Sequence, residues 1–84
     1  MEFVTFRNTY KLFETTVVYN RIKAVLAETG RTNKWLAEQL SVNNTTVSKW
    51  CRNEMQPRIE TLFQIASALN VDVRELLVST KEKK

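Results

Sequence analysis

Residues 43–49, in the middle of the chain, concentrate side chains that form hydrogen bonds. The run is Asn-Asn-Thr-Thr-Val-Ser-Lys and offers amides, hydroxyls and one ammonium group. If this run is helical and Val47 and Trp50 point inward, the opposite face of the helix is exposed. That face carries Asn44, Thr45, Ser48 and Lys49. Their chemistry is hydrogen bonding and charge, which suits recognition of a polar partner.

The residue types needed for most catalytic and metal sites are missing. There is no histidine, and Cys51 is the only cysteine, so no internal disulfide can form. Most zinc sites, histidine-based triads and histidine general bases are thereby excluded. Carboxylates alone could still catalyse a reaction, but no pair of them stands in a recognisable context. The sequence therefore predicts a protein that is not an enzyme and that holds no metal and no cofactor.

Length and charge predict a small domain with a polyanionic partner. The 84 residues allow one domain with a modest core, which a partner or a self-dimer would help to stabilise. Of the net charge of +4, residues 1–19 contribute nothing, residues 20–78 contribute +2 and residues 79–84 contribute +2. A mildly basic domain with a basic tail suits a polyanion. An alternative for the tail is that it only solubilises the C-terminus.

The sequence contains no pattern typical of a membrane or export segment. No apolar run approaches the roughly 20 residues that a membrane-spanning helix needs. The chain begins Met-Glu-Phe, without a basic leader before an apolar segment. We therefore expect a cytoplasmic protein without a membrane partner.

From residue 20 to residue 78, the spacing of apolar residues predicts an all-α bundle of five short helices. Gly30 ends the first helix, Thr32 caps the second, and Asn43 or Asn44 caps the third. After Pro57 the fourth helix runs from about residue 59 to 69, and residues 72–75 form a capping box for a short fifth. The inward-facing residues of the first four helices are Ile22, Val25, Leu26, Leu36, Ala37, Leu40, Val47, Trp50, Leu62, Ile65, Ala66 and Leu69.

Residues 1–19 form an N-terminal arm with a different composition. They are rich in Phe, Thr, Val and Tyr, which favour strands. Residues 3–6 and 15–19 could form two short strands around Asn8 and Thr9, and pairing across a dimer is one option for them. The alternatives are a loosely ordered arm or a translation start at Val17 or Val18. The chain then divides into the arm, a domain at residues 20–78 and a basic tail at residues 79–84.

Residues 32–50 carry the most informative pattern. Two helices joined by about three residues must cross steeply, and Ala37 is the small residue where they would touch. The apolar anchors around it are Leu36, Leu40, Val42, Val47 and Trp50. This pattern resembles the helix-turn-helix of the Cro and phage-repressor type, the xenobiotic-response-element family. The likeness covers roughly residues 20–78 and implies a repressor-like five-helix bundle with its helix-turn-helix at residues 33–52.

The sequence departs from the family pattern in its turns. Ser41 stands where the family usually has a left-handed glycine, at a cost of roughly 1 kcal/mol. Cys51-Arg52-Asn53 replaces the usual Glu-Asn-Gly, which places Asn53 at the expected positive φ. Trp35 replaces a residue that is usually polar, and could lie at the core edge, contact a partner or wedge against a phosphate. Cys51 is expected to be a half-buried apolar residue.

The resemblance also implies a role for each polar residue of the motif. The third helix would enter the major groove of double-stranded DNA, where Asn pairs with adenine, Lys with guanine, and the Thr methyl group with thymine. On this basis the residues expected to contact bases are Asn44, Thr45, Ser48 and Lys49. Those expected to contact phosphates are Asn33, Asn43 and Arg52.

The function implied is sequence-specific transcriptional regulation, most simply repression by a homodimer on a pseudo-palindromic operator. The dimer surface is expected at Val73, Leu76, Leu77 and Val78, extended by the N-terminal arm. One alternative is an antitoxin that binds DNA and masks a toxin through residues 1–19. Another is a protein-interaction module that retains the fold without binding DNA, against which Lys49 and Arg52 argue.

Overall fold

The computed structural model describes residues 17–81. Among them lie four α-helices, which are α1 (Ile22–Thr29), α2 (Asn33–Leu40), α3 (Asn44–Cys51) and α4 (Ile59–Leu69). A 3-10 helix, Val73–Leu76, follows α4. The predicted strand at residues 3–6 and the end of the basic tail lie outside the described residues.

The helix ends follow the caps that the sequence predicts. Thr32 accepts a hydrogen bond from the backbone N–H of Trp35 at the start of α2, at 3.0 Å. At the start of α3 it is Asn43 that caps, because its side chain accepts from the N–H of Thr45 at 2.7 Å. The residues that end α1, α2 and α4, which are Gly30, Ser41 and Asn70, have φ values of 72°, 57° and 59°.

One apolar core joins all four helices and the 3-10 helix. Among residues 17–81 its buried members are Ile22, Val25, Leu26, Leu36, Ala37, Val47, Trp50, Leu62, Ile65, Ala66, Leu69 and Leu76. Leu40, predicted to face inward, lies half-buried at the edge of this cluster. The helical spacing of apolar residues therefore identified the core correctly from α1 to α4.

The predicted fifth helix is a four-residue 3-10 helix and not an α-helix. Asp72 caps it as expected, by accepting from the N–H of Arg74 at 2.8 Å. The helix stops because Leu77 is already extended, and the next N–H, that of Val78, donates to the carbonyl of Tyr19 at 3.0 Å. Pairing with the start of the domain thus replaces a further helical turn.

The two ends of the domain meet in a short antiparallel contact. Asn20 and Leu77 form an isolated bridge, flanked by the bond from Val78 and by one from the N–H of Arg21 to the carbonyl of Leu76 at 2.8 Å. Residues 17–19, the part of the N-terminal arm that the structure describes, approach this bridge without forming a longer ladder.

Ser41→Gly should stabilise the protein. The left-handed backbone of Ser41 destabilises the folded state by roughly 1 kcal/mol. Glycine adopts that backbone without strain, and the extra entropy lost when a glycine is ordered is somewhat smaller than this strain. We expect the free energy of unfolding, measured with urea, to rise by about 0.5 kcal/mol. The matched control is Ser67→Gly on an exposed position of α4, which should lower it by about 0.5 kcal/mol. Equal losses in both variants would contradict the strain at Ser41.

Candidate nucleic-acid interface

The turn between α2 and α3 fixes how the two helices cross. Left-handed Ser41 reverses the chain, so that the N–H of Val42 donates to the carbonyl of Ala37 at 3.0 Å. Ala37 is itself buried, and Val47 and Trp50 on the inner face of α3 pack into the same core. Because the inner face is committed to the core, the orientation of the outer face of α3 is set as well.

The outer face of α3 holds the residues predicted to contact bases. Asn44, Thr45 and Lys49 are exposed, and Ser48 is half-buried. The eight residues of α3 form a helix about 12 Å long. None of the eight residues of α3 is acidic. The outer face of α3 therefore presents an amide, a hydroxyl and a cation together to solvent.

Asn33 and Ser48, predicted to have different roles, lie against each other between α2 and α3. The side-chain amide of Asn33 donates to the hydroxyl of Ser48 at 3.4 Å, and its carbonyl oxygen accepts from the thiol of Cys51 at 3.5 Å. The backbone N–H groups of Asn33 and Lys34 have no acceptor among residues 17–81. At the start of α2 the two backbone donors and the second hydrogen of the Asn33 amide therefore remain available.

Arg52 lies at the end of α3 in an exposed ion pair. Its guanidinium contacts the carboxylate of Glu54 at 2.7 Å, and this hydrogen bond lowers the pKa of Glu54. More than half of the Arg52 side chain is accessible to solvent. Exposed pairs of this kind contribute about 0–1 kcal/mol, so Arg52 can exchange Glu54 for another anion at little cost.

The remaining cations divide into paired and unpaired sets. Arg21, Arg58 and Arg74 form ion pairs with Glu28, Glu60 and Asp72, respectively. By contrast, the structure gives no ion pair within residues 17–81 for Lys23, Arg31, Lys34, Lys49 and Lys81. Three of these five, Arg31, Lys34 and Lys49, lie in the turn before α2, on α2 and on α3, respectively. Unpaired positive charge is therefore concentrated on the helix-turn-helix.

Trp35 and Cys51 both belong to the edge of the core. Trp35 is half-buried against it, and the guanidinium carbon of Arg31 lies 4.3 Å from the centre of its ring. The first of the three placements predicted for Trp35, the core edge, is therefore the observed one. Cys51 is half-buried as expected, and burial raises the pKa of its thiol.

A group of three amide side chains near the end of α3 was not predicted. This amide cluster consists of Asn20, Asn53 and Gln56, of which Asn20 and Asn53 are buried. Asn20 donates from its amide to the carbonyl of Trp50 at 3.0 Å and to the Gln56 side chain at 2.8 Å. The sequence signalled only the left-handed backbone of Asn53, and its φ of 59° confirms that prediction.

The residues predicted to form a dimer surface occupy different environments. Leu76 is fully buried, which corrects its predicted place on the surface and makes it part of the core. Val73 is half-buried against that core. Leu77 and Val78 are exposed, as are Val17, Val18 and Tyr19, and the backbone N–H of Val78 donates to the carbonyl of Tyr19 at 3.0 Å. We call these five exposed apolar residues, which stand in or next to the bridge between Asn20 and Leu77 along the chain, the exposed apolar surface.

Neither a metal cluster nor a membrane segment occurs in the described part of the chain. Residues 17–81 contain no group of three His, Cys, Asp or Glu side chains placed to hold a metal ion. In the same range, no helix is both long enough and apolar enough to cross a membrane.

Comparison with known proteins identifies the motif independently. The helix-turn-helix family model matches residues 22–76. One similar structure is that of a protein from Bacteroides fragilis to which DNA binding is provisionally assigned. The two sequences are 52% identical, the TM-score is 0.70, and the match covers 70% of this chain and 95% of that one. A transcriptional regulator from Listeria innocua is 25% identical, with a TM-score of 0.63, over 81% of this chain and 66% of that one. No curated protein matches.

Proposed function

The chain belongs to the helix-turn-helix family, and from that membership we propose that it is a sequence-specific DNA-binding transcriptional regulator and not an enzyme. We propose further that it acts as a repressor and binds a pseudo-palindromic operator as a homodimer. The observation that carries the proposal is the outer face of α3, where Asn44, Thr45 and Lys49 are exposed on a helix without acidic residues. The descriptions of the two structural relatives, DNA-binding protein and transcriptional regulator, agree with it.

The proposed base contacts follow from the chemistry of the outer face of α3. The major groove is about 12 Å wide and admits one helix. Asn44 would bind adenine through two hydrogen bonds, Lys49 would donate to guanine, and the methyl group of Thr45 would contact thymine. Ser48 is half-buried and bonded to Asn33, so it has less freedom to reach a base than the other three residues.

The proposed phosphate contacts flank α3 on both sides. The backbone N–H groups of Asn33 and Lys34, which have no acceptor in the described part of the chain, suit an anionic oxygen at the start of α2. Asn43 caps α3 through its side-chain oxygen, which leaves its amide hydrogens free to donate. Arg52 would exchange its exposed bond with Glu54 for a phosphate. Phosphates on the two sides of the groove would thereby fix the depth of α3.

A second copy of the chain is the proposed partner at the exposed apolar surface. One recognition helix makes too few base contacts for a regulator, whereas two on a two-fold axis read half-sites one helical turn apart. The exposed apolar residues Leu77, Val78 and Tyr19 lie together at the paired ends of the domain. Burying them against a second copy would remove that apolar area from water.

Selection of bound sequences from a random DNA pool tests the proposed function directly. We expect a pseudo-palindrome to be enriched and to bind far more tightly than random DNA, with both affinities falling as salt rises. The affinities are then measured at two salt concentrations. If no sequence is enriched and only weak, salt-sensitive binding remains, the proposal is wrong and the protein-interaction alternative gains weight.

Single substitutions should separate base contacts from phosphate contacts. Asn44→Ala and Lys49→Ala should each cost about 1–3 kcal/mol on the specific site and relax the preference at particular base pairs. Arg52→Ala should weaken binding to specific and random DNA alike, and reduce the slope of log affinity against log salt by about 1. Fluorescence anisotropy on both DNAs provides the measurement.

Arg74→Ala is the matched control for Arg52→Ala. Arg74 also pairs with a carboxylate two residues away, Asp72, but it lies on the 3-10 helix and not on the helix-turn-helix. We expect its removal to leave both affinities nearly unchanged. Equal losses for all four variants on both DNAs would show that the proposed docking is wrong.

Val78→Glu should disrupt the dimer. A charge at Val78 would have to be buried against the second copy, so the dimer dissociation constant should rise at least about tenfold. Analytical ultracentrifugation of the free protein measures this constant. The control is Phe63→Glu, which adds the same charge to an exposed apolar residue of α4. If Phe63→Glu dissociates the dimer and Val78→Glu does not, the interface lies on α4.

A further inference from the structure

The side chain of Asn53 makes hydrogen bonds, although the backbone of this residue has a conformation that would suit glycine. Its φ is 59°, in the left-handed region that glycine adopts most readily. The side chain is nevertheless buried, with the residue as a whole only 9% exposed. A buried amide must be hydrogen-bonded to offset its desolvation, and this one is bonded at both ends. The side chain of Asn53 therefore has a task that the turn itself does not require.

That task is to hold the backbone of Tyr19 and Asn20, just before α1. The side-chain oxygen of Asn53 accepts from the backbone N–H groups of Tyr19 at 2.9 Å and Asn20 at 3.0 Å. Its amide donates to the backbone carbonyl of Asn20 at 3.2 Å. Gln56 also donates to the oxygen of Asn53, at 3.1 Å. Three backbone groups of two consecutive residues are thus bound by one side chain.

The other end of the same cluster reaches the proposed recognition helix. Asn53 lies two residues after the end of α3, and its own N–H donates to the carbonyl of Trp50 at 3.0 Å. The amide of Asn20 donates to that same carbonyl, also at 3.0 Å. On the far side, the carbonyl of Tyr19 accepts from Val78 at 3.0 Å. Hydrogen bonds therefore run without a break from the end of α3 to the exposed apolar surface.

We infer that Asn53 is a positioning residue that fixes the exposed apolar surface relative to α3 and thereby sets the spacing between the two half-sites that a dimer reads. The inference rests on the proposed function, because it takes the exposed apolar surface as the dimer contact. If that surface is held rigidly, the two copies of α3 keep one separation. If the hold is loosened, α3 keeps its place in the core through Val47 and Trp50, but the separation varies.

The test compares Asn53→Gly with Asn70→Gly. Both replace an asparagine whose φ is 59° with a residue that tolerates that backbone, so both variants should fold. Asn70 is exposed, and its side chain makes no hydrogen bond with residues 17–81, which makes it the matched control. Circular dichroism and thermal melting verify that each variant is folded before it is compared.

The first measurement uses a DNA library in which two selected half-sites are separated by gaps of different length. Wild type and Asn70→Gly should prefer one gap over its neighbours by about tenfold or more, equivalent to about 1.4 kcal/mol. Asn53→Gly should reduce that preference to less than about threefold, while the preferred bases within each half-site stay the same. A role in stability alone would weaken binding at every gap equally.

The second measurement is hydrogen exchange at backbone amides, which needs no DNA. In Asn53→Gly the N–H groups of Tyr19 and Asn20 lose their acceptor, so they should exchange at least about tenfold faster than in Asn70→Gly. Unchanged rates at both amides would overturn the hold by Asn53, and an unchanged gap preference would overturn its effect on spacing. A wild-type protein without any gap preference would overturn the proposed dimer, and the inference with it.

Discussion

The structure depends on one constraint, which is that none of the helices within residues 17–81 is long enough to be stable alone. α1, α2 and α3 have eight residues each and α4 has eleven, whereas an isolated helix needs about 12–15 residues to be even marginally stable in water. Each helix therefore exists because it turns one face to the common core. For α3 this means that the proposed recognition of DNA cannot be separated from folding. Val47 and Trp50 hold the helix in the core, while Asn44, Thr45 and Lys49 on the other face are exposed.

The distribution of positive charge depends on which cations are paired with carboxylates. A net charge of +4 on 84 residues is modest. It acts on the helix-turn-helix because the ion pairs of the described residues are local and lie mostly elsewhere. Arg21, Arg58 and Arg74 are each neutralised by a nearby carboxylate, whereas Lys34 and Lys49 have no such partner within residues 17–81. The field that a polyanion would meet thus depends more on which cations are left unpaired than on the total charge.

Much of the fold and of the site could be predicted because the signals are local. Apolar spacing identified the core, and the caps at Thr32 and Asn43 and the left-handed residues Ser41 and Asn53 followed from residue type at a known position in the motif. Contacts between distant residues could not be predicted in this way. The amide cluster joins residues more than 30 positions apart, and the fifth helix is shortened by pairing with the start of the domain. Nothing near Asn53 in the sequence shows that its side chain is used.

The bridge between Asn20 and Leu77 has a topological consequence. Because it brings the first and last backbone of the domain side by side, both termini of residues 20–77 leave from one edge. A short linker could then join them, and new ends could be opened in a surface loop, as in a circular permutant. A domain fused directly to residue 20 or to residue 77 would therefore emerge at the same edge. Evolution or an engineer could therefore attach a sensor to either terminus and have it act on the same edge of the molecule.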